Sequence, residues 1–351
     1  MRGYDRALTN APLGEYVRES VAHKLVEAQS LLPDGFRIVF YDGWRSLATQ
    51  YETNKICYDS LITQLREAGV LDPVVPEDQL PAPVREVISR EAQNYISLPS
   101  PLPSMLNPTP EQVAEGKTIP SPHNTGGSID VGIAVIDPEW LGWLKELEDR
   151  AAQIDDPFSP QKALINFEIA KIYRLHSTLL DCGTTFDFAS QLSGVTAFEE
   201  PGQGTDVQRD NRRMLYNVLT SVGFEPYVEE WWHYNYGNQM AAMTEKYRTG
   251  TPGKVRFGGI DLSEDQKRHE YLHQMLFSLL REQDERPDQS VAIPTELASA
   301  GLTAEDFARL VDITKGDPTA TREQQRSNDM SYRGDLSGLI ERVRAAQSSI
   351  G

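Results

Sequence analysis

Apolar positions recur at helical spacing through residues 21–32 and stop at Pro33-Asp34-Gly35, so the pattern predicts a helix closed by a turn. The period then changes. Phe36-Arg37-Ile38-Val39-Phe40-Tyr41 is β-branched and aromatic, which predicts a strand, and Asp42-Gly43-Trp44-Arg45 leaves its end as a loop. Helical patterns at 51–68 and 84–96 flank a joint containing Pro73, Pro76, Pro81 and Pro83. A second run, Pro99, Pro101, Pro103, Pro108 and Pro110, predicts extended or irregular chain. Alternation returns at 128–136, a second strand. Helices are predicted at 138–152, with Trp140, Trp143, Leu144 and Leu147 on one buried face, at 161–176, and at 206–222, with Met214, Leu215, Val218 and Leu219 inward and Gly223 as a left-handed cap. Residues 179–187 read as irregular or extended. Beyond about 259 the pattern is helical at 263–282, 294–315 and 337–348.

Charge narrows the partners. The 351 residues carry 52 acidic and 34 basic side chains, a net charge of -18, which argues against nucleic acid or an anionic membrane as a partner. No apolar run is long enough to span a bilayer, and the first ten residues lack an apolar signal core, so a cytoplasmic location is expected. Cys57 and Cys182 are the only cysteines. They suit a reducing compartment and exclude a disulfide scaffold or a cysteine zinc knot, so any metal must be held by His, Asp and Glu.

Candidate chemistry centres on Glu229-Glu230-Trp231-Trp232-His233-Tyr234, where a carboxylate stands three residues before a histidine in an aromatic wall. A neutral imidazole can ligate a metal, and a carboxylate close by can take a proton from metal-bound water. An aromatic core segment with one hydrogen-bonded histidine has the same pattern. Upstream, His123 in the loop Ser121-Pro122-His123-Asn124-Thr125-Gly126-Gly127 and Asp130 on the following strand can aim at one point, supplying with His233 the three protein ligands of a catalytic zinc. Arg45 forks to carboxylates or oxyanions, as a surface ion pair or in a cleft. Asp187 could receive an ammonium or cap a turn. His176, among apolar neighbours, reads as structural. His269-Glu270-Tyr271-Leu272-His273 spells the H-E-x-x-H of zinc metalloproteases. Its upstream turn, Ser263-Glu264-Asp265-Gln266-Lys267-Arg268, is charged and capped, and no third ligand follows. It is expected to be a chance match on a solvated amphipathic helix.

Four segments taken together, in order, resemble the VanX-type D-alanyl-D-alanine dipeptidases of the zinc D,D-dipeptidase and D,D-carboxypeptidase superfamily. They are Asp42-Gly43-Trp44-Arg45, Ser121-x-His123-x-x-Gly126-x-x-x-Asp130, Gly183-Thr184-Thr185-Phe186-Asp187, and Asn211-Arg212-Arg213 through Gly223-Phe224 to Glu230-Trp231-Trp232-His233-Tyr234. The resemblance covers about 36–238. It implies His123, Asp130 and His233 as ligands of one Zn2+ per chain, Glu230 as general base and acid, Arg45 as the oxyanion partner, Asp187 as the acceptor of the substrate's amino group, and Ser121 as a substrate-contacting or supporting hydroxyl. Ser46 stands where the family usually has proline, and Gly127-Ser128 where it has Ser-Ala. The N-terminal segment that helps close the family's small cavity has no clear counterpart before Leu25. The expected fold is α+β. A catalytic unit over 1–258 carries the zinc on a small antiparallel sheet, with helical insertions at about 51–118 and 137–170, and a helical extension follows over 259–351. The expected activity is hydrolysis of D-alanyl-D-alanine or a similar dipeptide. The alternatives are a D,D-carboxypeptidase or amidase on a larger substrate, or a zinc-stabilised binding module without turnover.

Overall fold

The computed structural model describes residues 14–101, 111, 115, 118–156, 159–187, 190–315 and 336–349. The first ten residues and the prolines at 103, 108 and 110 lie outside the described residues.

The chain is a mixed α/β protein built on a small antiparallel sheet. In chain order the strands are β1 (Phe36–Asp42), β2 (Ser100–Pro101), β3 (Thr118–Ile119), β4 (Ser128–Ile136), β5 (Ser177–Leu179), β6 (Glu225–Pro226) and β7 (His233–Asn235). The helices are α1 (Glu19–Leu31), α2 (Leu47–Glu67), α3 (Ala82–Tyr95), α4 (Pro138–Ala152), α5 (Pro160–Leu175), α6 (Asp206–Ser221), α7 (Gln239–Thr249), α8 (Glu264–Glu285), α9 (Thr295–Ser299), α10 (Ala304–Thr314) and α11 (Leu336–Ser348). The main sheet runs β1-β4-β7-β6, with β5 also paired to β4, and β2 and β3 form a separate ribbon.

Strand β4 is the spine, and nearly every residue on it is buried, as a strand covered on both faces requires. Its register decides where the chemistry falls. Asp42 of β1 pairs with Asp130, past an irregularity after Phe40, and Asp130 pairs in turn with His233 of β7. Three polar side chains thus stand in one row across three strands, directly opposite one another. Behind the sheet, Val39, Ile129, Val131, Leu215, Leu219, Phe224, Trp231 and Trp232 form the main core, closed by α1 and α6.

Three further apolar clusters attach the periphery. Leu61, Leu65, Val84 and Ile88 of α2 and α3 pack with Leu339 and Val343 of α11. Leu164 of α5 packs with Leu276, Leu279 and Leu280 of α8, Leu297 of α9, and Phe307 and Leu310 of α10. Leu144 and Leu147 of α4 meet Ile136, Ile165 and Ile172. The C-terminal helices are therefore divided between two partners, α11 on α2 and α3, and α8 to α10 on α5. Ion pairs join the same partners, Arg342 to Glu91 at 2.7 Å and Arg309 to Glu168 at 3.1 Å.

Several expectations need correction. The helix expected from 51 begins at Leu47, because the Ser46 side chain accepts from the Thr49 N–H and caps it. The single helix expected over 294–315 is two, broken at Gly301, whose φ of +95° is left-handed, and restarted by a capping box at Thr303. Trp143, expected inside, is 41% exposed, since the buried stripe of α4 runs through Leu144 and Leu147. Helix α7 and strands β6 and β7 add elements that the hydrophobic pattern does not announce.

Candidate metal centre

Each member of the site is delivered by a short, well-defined piece of backbone. His123 opens a single turn of 3-10 helix closed by Gly126 at φ +66°. Gly127 follows where a Cβ would stand 2.7 Å from the Tyr236 carbonyl oxygen, so only glycine lets the loop lie this close to the chain after β7. Asp130 comes from β4 and His233 from β7. Glu230 precedes His233 in a tight turn, where the His233 N–H reaches the Glu230 carbonyl at 3.3 Å, so the spacing of three arises without a helix.

The donor atoms of His123, Asp130 and His233 lie within 4.8 Å of one another, and all three residues are buried. Around them, Nε2 of His123 is 3.4 Å from Asp130 Oδ2 and 3.3 Å from His233 Nδ1, and His233 Nδ1 is 3.0 Å from Asp130 Oδ1. The outer nitrogens are bound elsewhere. His123 Nδ1 meets the Gly43 carbonyl at 2.6 Å, and His233 Nε2 meets Asn235 Oδ1 at 3.2 Å. Asn235 Oδ1 also accepts from Ser128 Oγ at 2.8 Å and from Asn238 Nδ2 at 2.9 Å, which fixes it as an acceptor. Each imidazole therefore donates outward and turns a lone pair toward Asp130. Lone pairs and a carboxylate this close repel unless a cation lies among them, so the residues fit a divalent metal with three protein ligands and an open position.

Burial pushes Asp130 upward, but His123 and His233 outweigh it and hold the carboxyl far below its usual range. Burial and Arg45 lower His123; His233 is raised, since Asp130 outweighs burial there. Arg45, itself buried, donates through Nε to Asp42 and through Nη2 to Asp130 Oδ2 at 3.1 Å. Glu230 lies 3.6 Å from His233 Nδ1, and burial raises its carboxyl to about 7, with Asp130 adding to the rise and His233 opposing it.

Arg45, His123, Asp130, Glu230 and His233 line a cleft of about 740 Å³. Arg45 is the sole Lys or Arg among its described lining residues, against Asp130, Asp187, Glu229 and Glu230. Asp187 lies there with a positive φ of 58°, and its Oδ2 is buried without a hydrogen-bond partner among the described residues; burial raises its pKa well above the usual value. Ser121 lies there too, and its Oγ is likewise buried without a partner. The cleft is also lined by the end of α3 and the residues after it, Tyr95 to Ser97 among them, and by Met240 and Met243 of α7.

All seven residues singled out by sequence thus line one cleft, and His176 stays outside it, stacked on Trp140 at 3.9 Å. His269 and His273 are also elsewhere, on α8, with rings 3.9 Å apart. Their helix is not simply solvated, because Glu270 is buried. Sequence reasoning missed Asp42 as the partner of Arg45 and Asn235 as the partner of His233. The second was available in principle, since alternate residues of a strand share a face.

Fold and site together define an α+β protein carrying a three-residue group able to hold a metal ion. Comparison with known proteins makes this more specific. Residues 150–249 match the M15 peptidase family, described as D-ala-D-ala dipeptidase. A stretch of 56 residues is 41% identical to a D-alanyl-D-alanine dipeptidase of Enterococcus faecalis (strain ATCC 700802 / V583). That alignment covers 16% of this chain and 26% of the relative, so the chain spans about a quarter of the relative's length. The resemblance to D-alanyl-D-alanine dipeptidases therefore holds, and the family match takes in the last two of the four motifs. The family match takes in Asp187, Glu230 and His233, whereas Arg45, His123 and Asp130 precede it and are brought to it by the sheet.

Proposed function

We propose that the protein is a zinc-dependent peptidase that hydrolyses D-alanyl-D-alanine or a similar short dipeptide, in the cytoplasm, with one Zn2+ per chain held by His123, Asp130 and His233. The observation that carries this reading is the pair of outward hydrogen bonds, His123 to Gly43 and His233 to Asn235, which leaves two imidazole lone pairs and one carboxylate facing a common point. When bound there, zinc supplies an acidified water and a polarised scissile carbonyl.

The chain's own groups do the rest. Glu230, whose carboxyl burial keeps near neutrality, takes a proton from the attacking water and returns it to the leaving amine. Arg45 meets the negative charge that develops on the carbonyl oxygen, and Asp42 holds its guanidinium in place for that purpose. Asp187, with a buried oxygen unmatched by any described donor, receives the substrate's ammonium group, and Ser121 offers its hydroxyl to the substrate. Trp231 and Trp232 serve as wall. Residues 1–258 act as the catalytic unit, with 259–351 as a helical extension packed on its insertions.

The size of the cleft favours a second reading, a D,D-carboxypeptidase or amidase on a larger substrate. At about 740 Å³ it lies in the range that holds drug-sized ligands, well beyond what two alanines fill. A panel of D,D-, L,D- and L,L-dipeptides, free and N-blocked, together with longer D,D-peptides, separates the two. Cleavage of free D-Ala-D-Ala that is lost on blocking the amine supports the dipeptidase. Preference for blocked or longer peptides supports the second reading, and no cleavage of any of them by zinc-loaded protein contradicts both.

A further inference from the structure

The residue that the C-terminal extension buries beside the catalytic loop is Glu270, the middle of the apparent H-E-x-x-H. It is 7% exposed, and its Oε1 accepts both the Gly14 N–H at 2.7 Å and the Tyr16 hydroxyl at 2.6 Å. Two donors on one buried carboxylate oxygen make charge-assisted bonds, stronger than neutral ones. They pin an extended N-terminal segment of the chain, without regular secondary structure, that lies directly on the Arg45 loop. The Tyr16 carbonyl accepts the Trp44 N–H at 2.7 Å, and the Tyr16 ring meets the Trp44 ring edge-on at 6.5 Å. A Cβ at Gly43 would stand 2.5 Å from the Tyr16 carbonyl oxygen, so the two backbones are in closest approach there.

The extension holds the same loop a second time. The Trp44 indole N–H donates to the Ile260 carbonyl at 2.9 Å, and the Ile260 N–H donates to the Asn124 carbonyl at 3.0 Å. Asn124 Nδ2 in turn donates to the Arg45 carbonyl at 2.8 Å. The peptide units from Gly43 to Arg45 are thus fixed between His123 on one side and Tyr16 with Ile260 on the other.

We propose that Glu270 is a positioning residue for Arg45, acting through Tyr16 and Trp44, so that the helical extension sets the geometry of the catalytic loop. That Arg45 serves catalysis rests on the function proposed above; that Glu270 orders its loop does not. A displacement of about 1 Å in such a group can cost on the order of 10²-fold in rate.

The test uses the full chain as Glu270→Ala, Glu270→Gln and Tyr16→Phe. Glu270→Ala should lower kcat on the dipeptide by about 10- to 10²-fold with KM and zinc content nearly unchanged. Glu270→Gln, which keeps an acceptor at Oε1, should restore most of the loss, and Tyr16→Phe should fall between. Amide hydrogen exchange reads the loop without reference to activity. The Trp44 amide should exchange at least tenfold faster in Glu270→Ala, while Ile133 in β4 is unchanged. Equal Trp44 protection in wild type and Glu270→Ala overturns the proposal, as does a Gln variant no better than Ala. Should Glu270→Ala fail to fold, Tyr16→Phe and Glu270→Gln carry the same comparison. A wild-type protein that hydrolyses nothing removes the peptidase reading, and Trp44 exchange still decides the role of Glu270.

Discussion

The row of Asp42, Asp130 and His233 and the helical shell around it are held together in opposite ways. In the row and in the turn beside it the buried side chains are polar, and each depends on a particular atom, such as the Gly43 carbonyl for His123 or Asn235 Oδ1 for His233. In the shell, where α2, α3 and α11 or α5, α8, α9 and α10 meet, the buried side chains are mostly leucine, isoleucine and valine with many neighbours apiece. A buried polar group that loses its partner bears its full desolvation cost, whereas an apolar cluster loses only part of its contacts when one member shrinks. On the function proposed here chemistry belongs to the row and its neighbours and fold stability largely to the shell, and substitutions in each should separate the two.

The largest effect is expected in the row. His233→Ala removes one of the three proposed ligands and one of the partners of Asp130, so the purified protein should carry no zinc by elemental analysis and its hydrolysis should fall to background. Arg45→Ala should keep the metal and lower kcat by about 10²–10³-fold, the loss typical of one oxyanion donor. Loss of metal in that variant would mean that Arg45 holds Asp130 for ligation more than it serves the reaction. In the shell, Leu339→Ala should destabilise the fold by about 2–5 kcal/mol in urea unfolding while kcat and zinc content stay at wild-type values. A fall in kcat there would mean the shell is not separable from the site. The smallest effect tests whether both regions stay closed. Burial pushes the thiols of Cys57, in the shell, and Cys182, beside the sheet, up to about 12. At pH 8 both stay protonated when folded and ionise more readily when unfolded. Alkylation should then be slow in native protein and fast in urea for both. Fast native labelling of Cys57 alone would locate opening in the shell.

What was legible in the sequence follows the same division. The sheet's spine and most helices were readable from period alone, because α1, α3, α6 and β4 each bury a stripe or a run that no other element could hide. The seven residues that share the cleft stood out in the sequence for two reasons: a metal needs particular donor types, which singled out His123, Asp130 and His233, and the other four stand in motifs whose order resembles that of a known family. What joined them was not readable. The pairing of Asp130 with Asp42 depends on an irregularity after Phe40, and its pairing with His233 on the register of β4 against β7; neither leaves a mark in the sequence. Strands of two or three residues such as β6 and β7 carry too little pattern to be seen. Ser128, which replaces the family's usual alanine, acquires a purpose only beside Asn235, to which its hydroxyl donates at 2.8 Å. Glu270 was hidden for a different reason. A carboxylate between two histidines invites a metal reading or its rejection, and neither leads to Tyr16, 254 residues away.

The central claim is that a metal-activated water is deprotonated by a carboxylate that does not itself hold the metal. The most direct test measures zinc stoichiometry and D-Ala-D-Ala turnover on the same samples of wild type and Glu230→Ala. One zinc per chain in both, with kcat lowered about 10²–10⁴-fold in the variant, is the predicted result. Full activity in Glu230→Ala, or loss of its zinc, would contradict it.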